Sequence, residues 1–218
     1  LTTRPTLGSR RVIIIDAADD LEPASANALL KSLEEPPVGS YFMLIAHRLG
    51  RLLPTIRSRC RVLQFPALAP RQIDAILQVE APQADAAARS AAIDSAGGSP
   101  GTALDFVELD LGPIHQLMRE IANHGDRDFS RRGRLAEAIG ARPDRRRQLA
   151  TIDLARSVAV SRLRDTPPTA QRVLADSHAQ LVQLGVQAPT HNYDPGLLVM
   201  EIGGLLARMA APREAAHG

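Results

Sequence analysis

Hydrophobic and polar positions divide the chain into two regimes that change near Pro66. Before it, Arg11-Val-Ile-Ile-Ile-Asp16 and Tyr41-Phe-Met-Leu-Ile-Ala46 are short, unbroken apolar runs, the first rich in β-branched residues. Runs without polar alternation predict strands covered on both faces, as in a parallel sheet. Between them, Ala24 to Glu35 is built of helix formers with Leu29, Leu30 and Leu33 gathered on one side, and Pro36-Pro37 stops the helix. Strand, helix and strand in that order form a βαβ unit, a connection that makes its two strands parallel. Arg61-Val-Leu-Gln-Phe65 predicts a further strand that leaves the sheet.

Beyond Pro66 the apolar positions recur at helical spacing. Residues 69–108 predict three or four short helices, broken at Pro82 and at Gly97-Gly98-Ser99-Pro100, and Gly112-Pro113 marks another boundary. Longer amphipathic helices are predicted over about 113–124, 129–140, 144–165, 168–187 and 195–211, separated by turn residues such as Pro143, Pro167-Pro168 and Asp194-Pro195. The fold class expected is α/β plus all-α. Residues 1–66 form part of an α/β domain, 67–111 a small helical domain, and 112–218 a helical bundle.

Composition narrows the chemistry. The 218 residues carry 26 cationic against 24 anionic side chains, a net charge of +2 that does not by itself argue for a nucleic-acid partner. Cys60 is the single cysteine, so neither an internal disulfide nor a four-cysteine zinc site can form within the chain. No apolar run reaches the roughly 18–20 residues of a membrane span, and no charged-then-apolar leader opens the chain. The location expected is the cytoplasm, with no membrane partner. The six histidines, including His47, His115 and His178, show no paired metal-ligand spacing, and no metal is assigned.

Two strings carry a more specific message. Asn27-Ala-Leu-Leu-Lys-Ser-Leu-Glu-Glu-Pro-Pro37 lies between the two strands, and Thr55-Ile-Arg-Ser-Arg-Cys60 follows the second. In this order and spacing the pair resembles the clamp-loader branch of the AAA+ ATPases, where an NALLKxLEEPP helix precedes a TxxSRC motif. The resemblance covers roughly residues 10–104, and the later helices match it only in kind, as a collar through which such subunits form a ring. It implies the C-terminal part of a RecA-like parallel-sheet domain, a small helical lid and a collar. It also implies that the phosphate-binding loop and a first strand would precede Leu1, together with a four-cysteine zinc module that Cys60 alone cannot form.

Departures from the family pattern decide the kind of subunit. Hydrolysing members end the first of these strands in Asp-Glu, whose carboxylates hold Mg²⁺ and polarise the attacking water. Here Asp16 is followed by Ala17, and Asp19 and Asp20 lie too far along to replace the glutamate. In the lid, Gly101 stands where the family usually has an arginine that reaches a bound nucleotide, and no GxxxxGK[ST] string occurs. The resemblance is therefore to the non-hydrolysing arm of the loader, with no cofactor in this chain and Mg-ATP bound by its neighbours. Its implied partners are the other loader subunits, of gamma/tau and delta type, and through the assembly the sliding clamp and primed DNA.

Arg59 is the residue to which that resemblance gives a function, reaching into a neighbouring subunit's nucleotide site; otherwise it is a surface arginine in a local ion pair. Thr55, Ser58 and Cys60 position it, and Asp16 is expected to hydrogen-bond Thr55 or nearby backbone. Asn27, Lys31, Glu34 and Glu35 are candidates for subunit contact or else a solvated helix face, with Lys31 and Glu35 spaced i,i+4 for a modest pair. His47-Arg48 ends the second strand, where hydrolysing relatives place a polar nucleotide sensor. Two other functions stay open: an active gamma/tau-type ATPase, and an arginine-rich DNA-binding module. The arginines between Arg127 and Arg147 suggest the latter, but the interleaved Asp126, Asp128, Glu137 and Asp144 and the single nearby aromatic, Phe129, fit a solvated bundle face better.

Overall fold

The computed structural model describes residues 10–168, 171–188 and 193–210. Positions 169, 170 and 211 of the predicted helices lie outside them, as do the ends of the first and third expected domains. The chain divides into two compact units, Leu1–Phe65 and Pro66–Gly218.

The first unit is a βαβ element with a short extra helix. Strand β1 (Arg11–Ile15) leads through a 3-10 turn at Ala18–Asp20 into α1 (Pro23–Glu34). β2 (Ser40–Leu44) follows, and α2 is the short Pro54–Arg57. The strands are parallel, with Arg11 opposite Ser40 and Ile15 opposite Leu44. Pro23 opens α1 at a position where its missing N–H costs no helical bond. The apolar side of α1 (Ala26, Leu29, Leu30 and Leu33) packs with Ile15, Phe42, Leu44 and Ile56 into a small core.

Two expectations need correction here. The strands are not covered on both faces: alternate residues point away from α1, and Ile14 is 63% and Met43 57% exposed. Only one helical layer lies on the sheet among the described residues of this unit, so an apolar run that matches two-sided burial leaves one side to solvent. The further strand at Arg61–Phe65 does not form. That stretch is irregular, and Phe65 is 91% exposed, because the described sheet consists of β1 and β2 alone and offers the segment no ladder.

The second unit is helical throughout its described length. Helices α3 (Pro70–Glu80), α4 (Ala86–Ala96) and α5 (Pro100–Glu108) form its first part. They are followed by α6 (Gly112–His124), α7 (Ser130–Ile139), α8 (Arg145–Arg164), α9 (Gln171–Gln187) and α10 (Pro195–Arg208). Local chemistry sets the starts: the Asp85, Asp144 and Asp194 carboxylates and the Ser99 hydroxyl accept from backbone N–H groups of the first turn. One continuous apolar core runs from Ile73 and Leu77 on α3 through Ile114 and Met118 on α6 to Ile202 and Leu205 on α10. Across the Gly112 position, Arg146 at the start of α8 pairs with Asp105 and Glu108 of α5, and Ser157 donates 2.8 Å to the Ser95 carbonyl of α4.

The Gly97-Gly98 pair breaks the helices for two different reasons. Gly97 caps α4 in the left-handed region at φ 57°. Gly98, at φ 89°, lets the chain leaving the first unit come close: a Cβ there would lie 2.5 Å from that of Ala67. The Leu68 N–H donates to the Gly98 carbonyl at 2.9 Å. No helix among the described residues is long and apolar enough to cross a membrane.

Candidate functional site

The C-terminal ends of two adjacent parallel strands lie side by side, and the first unit places its candidate residues there. Asp16 ends β1 in solvent, and its carboxylate lies 3.9 Å from Nε2 of His47 beyond β2. Its charged neighbour is therefore His47 at the adjacent strand's end, where a hydrogen bond to Thr55 or nearby backbone was expected. Ala17 adds no polar group. Asp19 is turned inward and committed elsewhere: its oxygens accept from the backbone N–H groups of His47 and Arg48 at 3.1 Å and from Arg48 Nε at 3.2 Å. Arg48 also pairs with Asp20 at 2.6 Å. The loops after β1 and β2 are thus latched together. Burial pushes the Asp19 carboxyl up, but the hydrogen bonds from His47 and Arg48 outweigh it and leave its pKa below the usual carboxylate value.

As a Mg-nucleotide site this donor set fits poorly. A divalent cation needs several oxygens, and Asp16 offers one exposed carboxylate beside an imidazole while Asp19 and Asp20 are spent on Arg48. A cleft of about 230 Å³, lined by Asp19, Asn27, Arg51 and apolar side chains, lies behind the latch. It is smaller than the roughly 300–1,000 Å³ of most ligand pockets. Among the described residues no three His, Cys, Asp or Glu side chains converge as metal ligands.

The TxxSRC segment forms a compact turn on the end of α2. Pro54 starts that helix, and Ile56 is buried in the small core. Cys60, on the far side of the turn, packs against the same core, and burial raises its thiol pKa, consistent with an anchoring side chain rather than a nucleophile. Thr55 acts through its backbone: its carbonyl accepts from Ser58 Oγ and from Arg59 Nη1, both at 3.0 Å. Arg59 stands outward between these anchors with its side chain 38% exposed, and Nη2 lies 2.7 Å from Oε1 of Glu34.

That ion pair links the two sequence strings, a contact that reading each string separately does not reveal. The Lys31–Glu35 pair suggested by i,i+4 spacing does not form. Glu35 is the C-cap, with φ −124° and ψ 72°, so its side chain has left the helical row. Asn27 and Lys31 are exposed on α1. Gly101, in the second unit, is exposed in the first turn of α5, and a Cβ there would meet nothing within 4 Å.

The arginine-rich region of the second unit is largely consumed internally. Asp126 is fully buried and accepts from the backbone of Arg131 and Arg132 and from Arg132 Nε at 2.9 Å. The Arg132 guanidinium also lies 4.2 Å over the Phe129 ring. Arg147 donates to the carbonyls of Ala138, Ile139 and Leu109, and Arg145 to that of Ala188. These cations close helix ends and loops.

Comparison with known proteins gives a consistent picture. A family model described as DNA polymerase III, delta subunit, matches residues 1–69. The chain is 40% identical over 97 residues to the DNA polymerase III subunit delta' of Pseudomonas aeruginosa, covering 44% of this chain and 30% of that one. It is 39% identical over 110 residues to the delta' subunit of Escherichia coli, covering 50% and 33%. A gamma/tau subunit from Mycobacterium bovis is 36% identical over 108 residues, covering 48% and 19%. The chain thus spans about a third of the length of the delta' relatives it matches. A solved DNA polymerase III gamma subunit-related protein from Thermotoga maritima shares the fold, with a TM-score of 0.50, 17% identity and coverage of 96% of this chain and 76% of that one. By these matches the chain resembles DNA polymerase III subunits, of both delta' and gamma/tau type, over up to half of its sequence.

Proposed function

We propose that this chain serves as the non-hydrolysing arm of a bacterial DNA polymerase III clamp loader, and that it completes a neighbouring subunit's ATP site with Arg59. In that role the partners are gamma/tau and delta subunits, and through them the sliding clamp and primed DNA, with Mg-ATP held by the neighbours. The observation that carries the reading is the geometry around Arg59. A turn anchored by Ile56 and Cys60 projects a half-exposed guanidinium, while Asp16-Ala17 lacks the second carboxylate that hydrolysis in cis requires.

The chemistry asked of Arg59 is modest and specific. A γ-phosphoryl group gathers negative charge on its equatorial oxygens as it transfers, and a guanidinium within reach stabilises that charge with paired N–H donors. Such an arginine supplied in trans is worth roughly 10³–10⁵ in rate. The remaining helices would serve as lid and collar, with Asn27, Lys31 and Glu34 on α1, and Glu35 at its C-cap, turned toward the other subunits.

The deciding experiment is ATP turnover by a reconstituted loader carrying this subunit, with clamp and primed DNA, compared with its Arg59→Ala variant. Loss of at least an order of magnitude, with the assembly intact by sizing, is the expected result. Unchanged turnover removes the trans-arginine role and leaves a scaffold. The gamma/tau relative keeps an enzymatic reading in view, and turnover by the subunit alone would establish it.

A further inference from the structure

The ion pair that joins the two sequence strings has a consequence for how Arg59 would act. Glu34 is the last residue of α1, where the helix presents the negative end of its dipole and disfavours a carboxylate. Among the described residues its charged partner is Arg59. Both ends of the pair are held close to their anchors: Leu33 beside Glu34 and Cys60 beside Arg59 pack on one small core, and Pro36-Pro37 follows after Glu35 on the carboxylate side. The Thr55 carbonyl takes one of the guanidinium's five N–H donors, on Nη1, while Glu34 holds Nη2 by charge as an ion pair. The others stay available for an incoming oxyanion.

We infer that Glu34 is a positioning residue for Arg59, fixing the guanidinium's direction before a neighbour's phosphate arrives. The inference rests on the reading that Arg59 acts in trans. An arginine side chain carries considerable rotamer freedom, and ordering it in advance removes part of the cost of placing it on the transferring group. The pair lies at the surface, with side chains 38% and 43% exposed, so its worth is in direction rather than in folding stability.

The test is a cycle of variants in the reconstituted loader, read as kcat and KM for ATP. Glu34→Gln, which keeps size and loses charge, is expected to lower kcat by about three- to thirtyfold, less than the roughly hundredfold that a 1 Å misplacement can cost. KM for ATP should hold, and Glu34→Asp should recover part of the loss. In the Arg59→Ala background, Glu34→Gln should have no further effect. If Arg59→Ala lowers turnover but Glu34→Gln does not, or lowers it equally in both backgrounds, the positioning role is wrong while the trans arginine stands. If Arg59→Ala itself leaves turnover unchanged, the functional reading fails and the positioning role with it.

Discussion

Asp19 shows how a single side chain can set the geometry of a strand end. Two backbone N–H groups and the Arg48 guanidinium converge on a carboxylate that is almost wholly buried. Because these donors favour the charged form, its pKa in the fold lies below that in the unfolded chain. The resulting stabilisation is complete above the ordinary carboxylate pKa of about 3.9 and is lost as pH falls through the lower folded value. Acid unfolding of the first unit, followed by near-ultraviolet signal from Tyr41 in a Tyr193→Phe background, should therefore begin near pH 4 and flatten when Asp19→Asn is added. An identical acid limb in both proteins would mean that the latch contributes nothing. The sequence displayed Asp19 and Arg48 but not their meeting, because the contact spans two loops 28 to 29 residues apart.

Among the elements, the most demanding fit is that of α7 against α10. Arg132 on α7 runs along Gly203 on α10, where an added Cβ would lie 2.4 Å from Arg132 Cγ and 2.8 Å from Cδ. Those are mid-chain atoms of a side chain fixed at its head by the buried Asp126 and by the Phe129 face, so they cannot simply swing away. Gly203→Ala would raise intrinsic helix propensity yet should destabilise the second unit by about 1–3 kcal/mol through overpacking. Urea unfolding monitored by helical circular dichroism measures it; a neutral or stabilising result would show that α10 moves aside at little cost. The helices themselves were legible from periodicity and punctuation: the predicted 113–124 and 144–165 appear as Gly112–His124 and Arg145–Arg164. Legibility failed for Arg61–Phe65, whose β-branched and aromatic composition states a propensity that only a neighbouring ladder could satisfy.

For the whole molecule, the two separate cores predict where the chain can be cut. Residues 61–67 are exposed and irregular, and they join a unit with a three-residue buried centre to one with an extensive core. Brief trypsin treatment should cleave after Arg61 and leave a fragment beginning at Val62 that keeps its helical signal and cooperative unfolding. Resistance at that position, or loss of helicity after the cut, would mean that the helices from Pro66 onward do not hold their core without the residues before them. The Ala67–Leu68 contact with Gly98 would remain within the surviving fragment.

By itself, the sequence determined the order of the two paired strands and the main helices, the parallel pairing that a βαβ connection enforces, and the family resemblance carried by two strings. Those properties depend on local periodicity, on turn chemistry and on residues read in succession. Tertiary structure alone decided that one sheet face lies open, that Asp19 is consumed by Arg48, that the arginine-rich stretch closes helix ends, and that Glu34 rather than Lys31 or Glu35 answers a charge. Each of these depends on which groups meet across long separations in the chain. A carboxylate's partner is set by where its helix ends in space, a quantity that spacing along the chain does not encode.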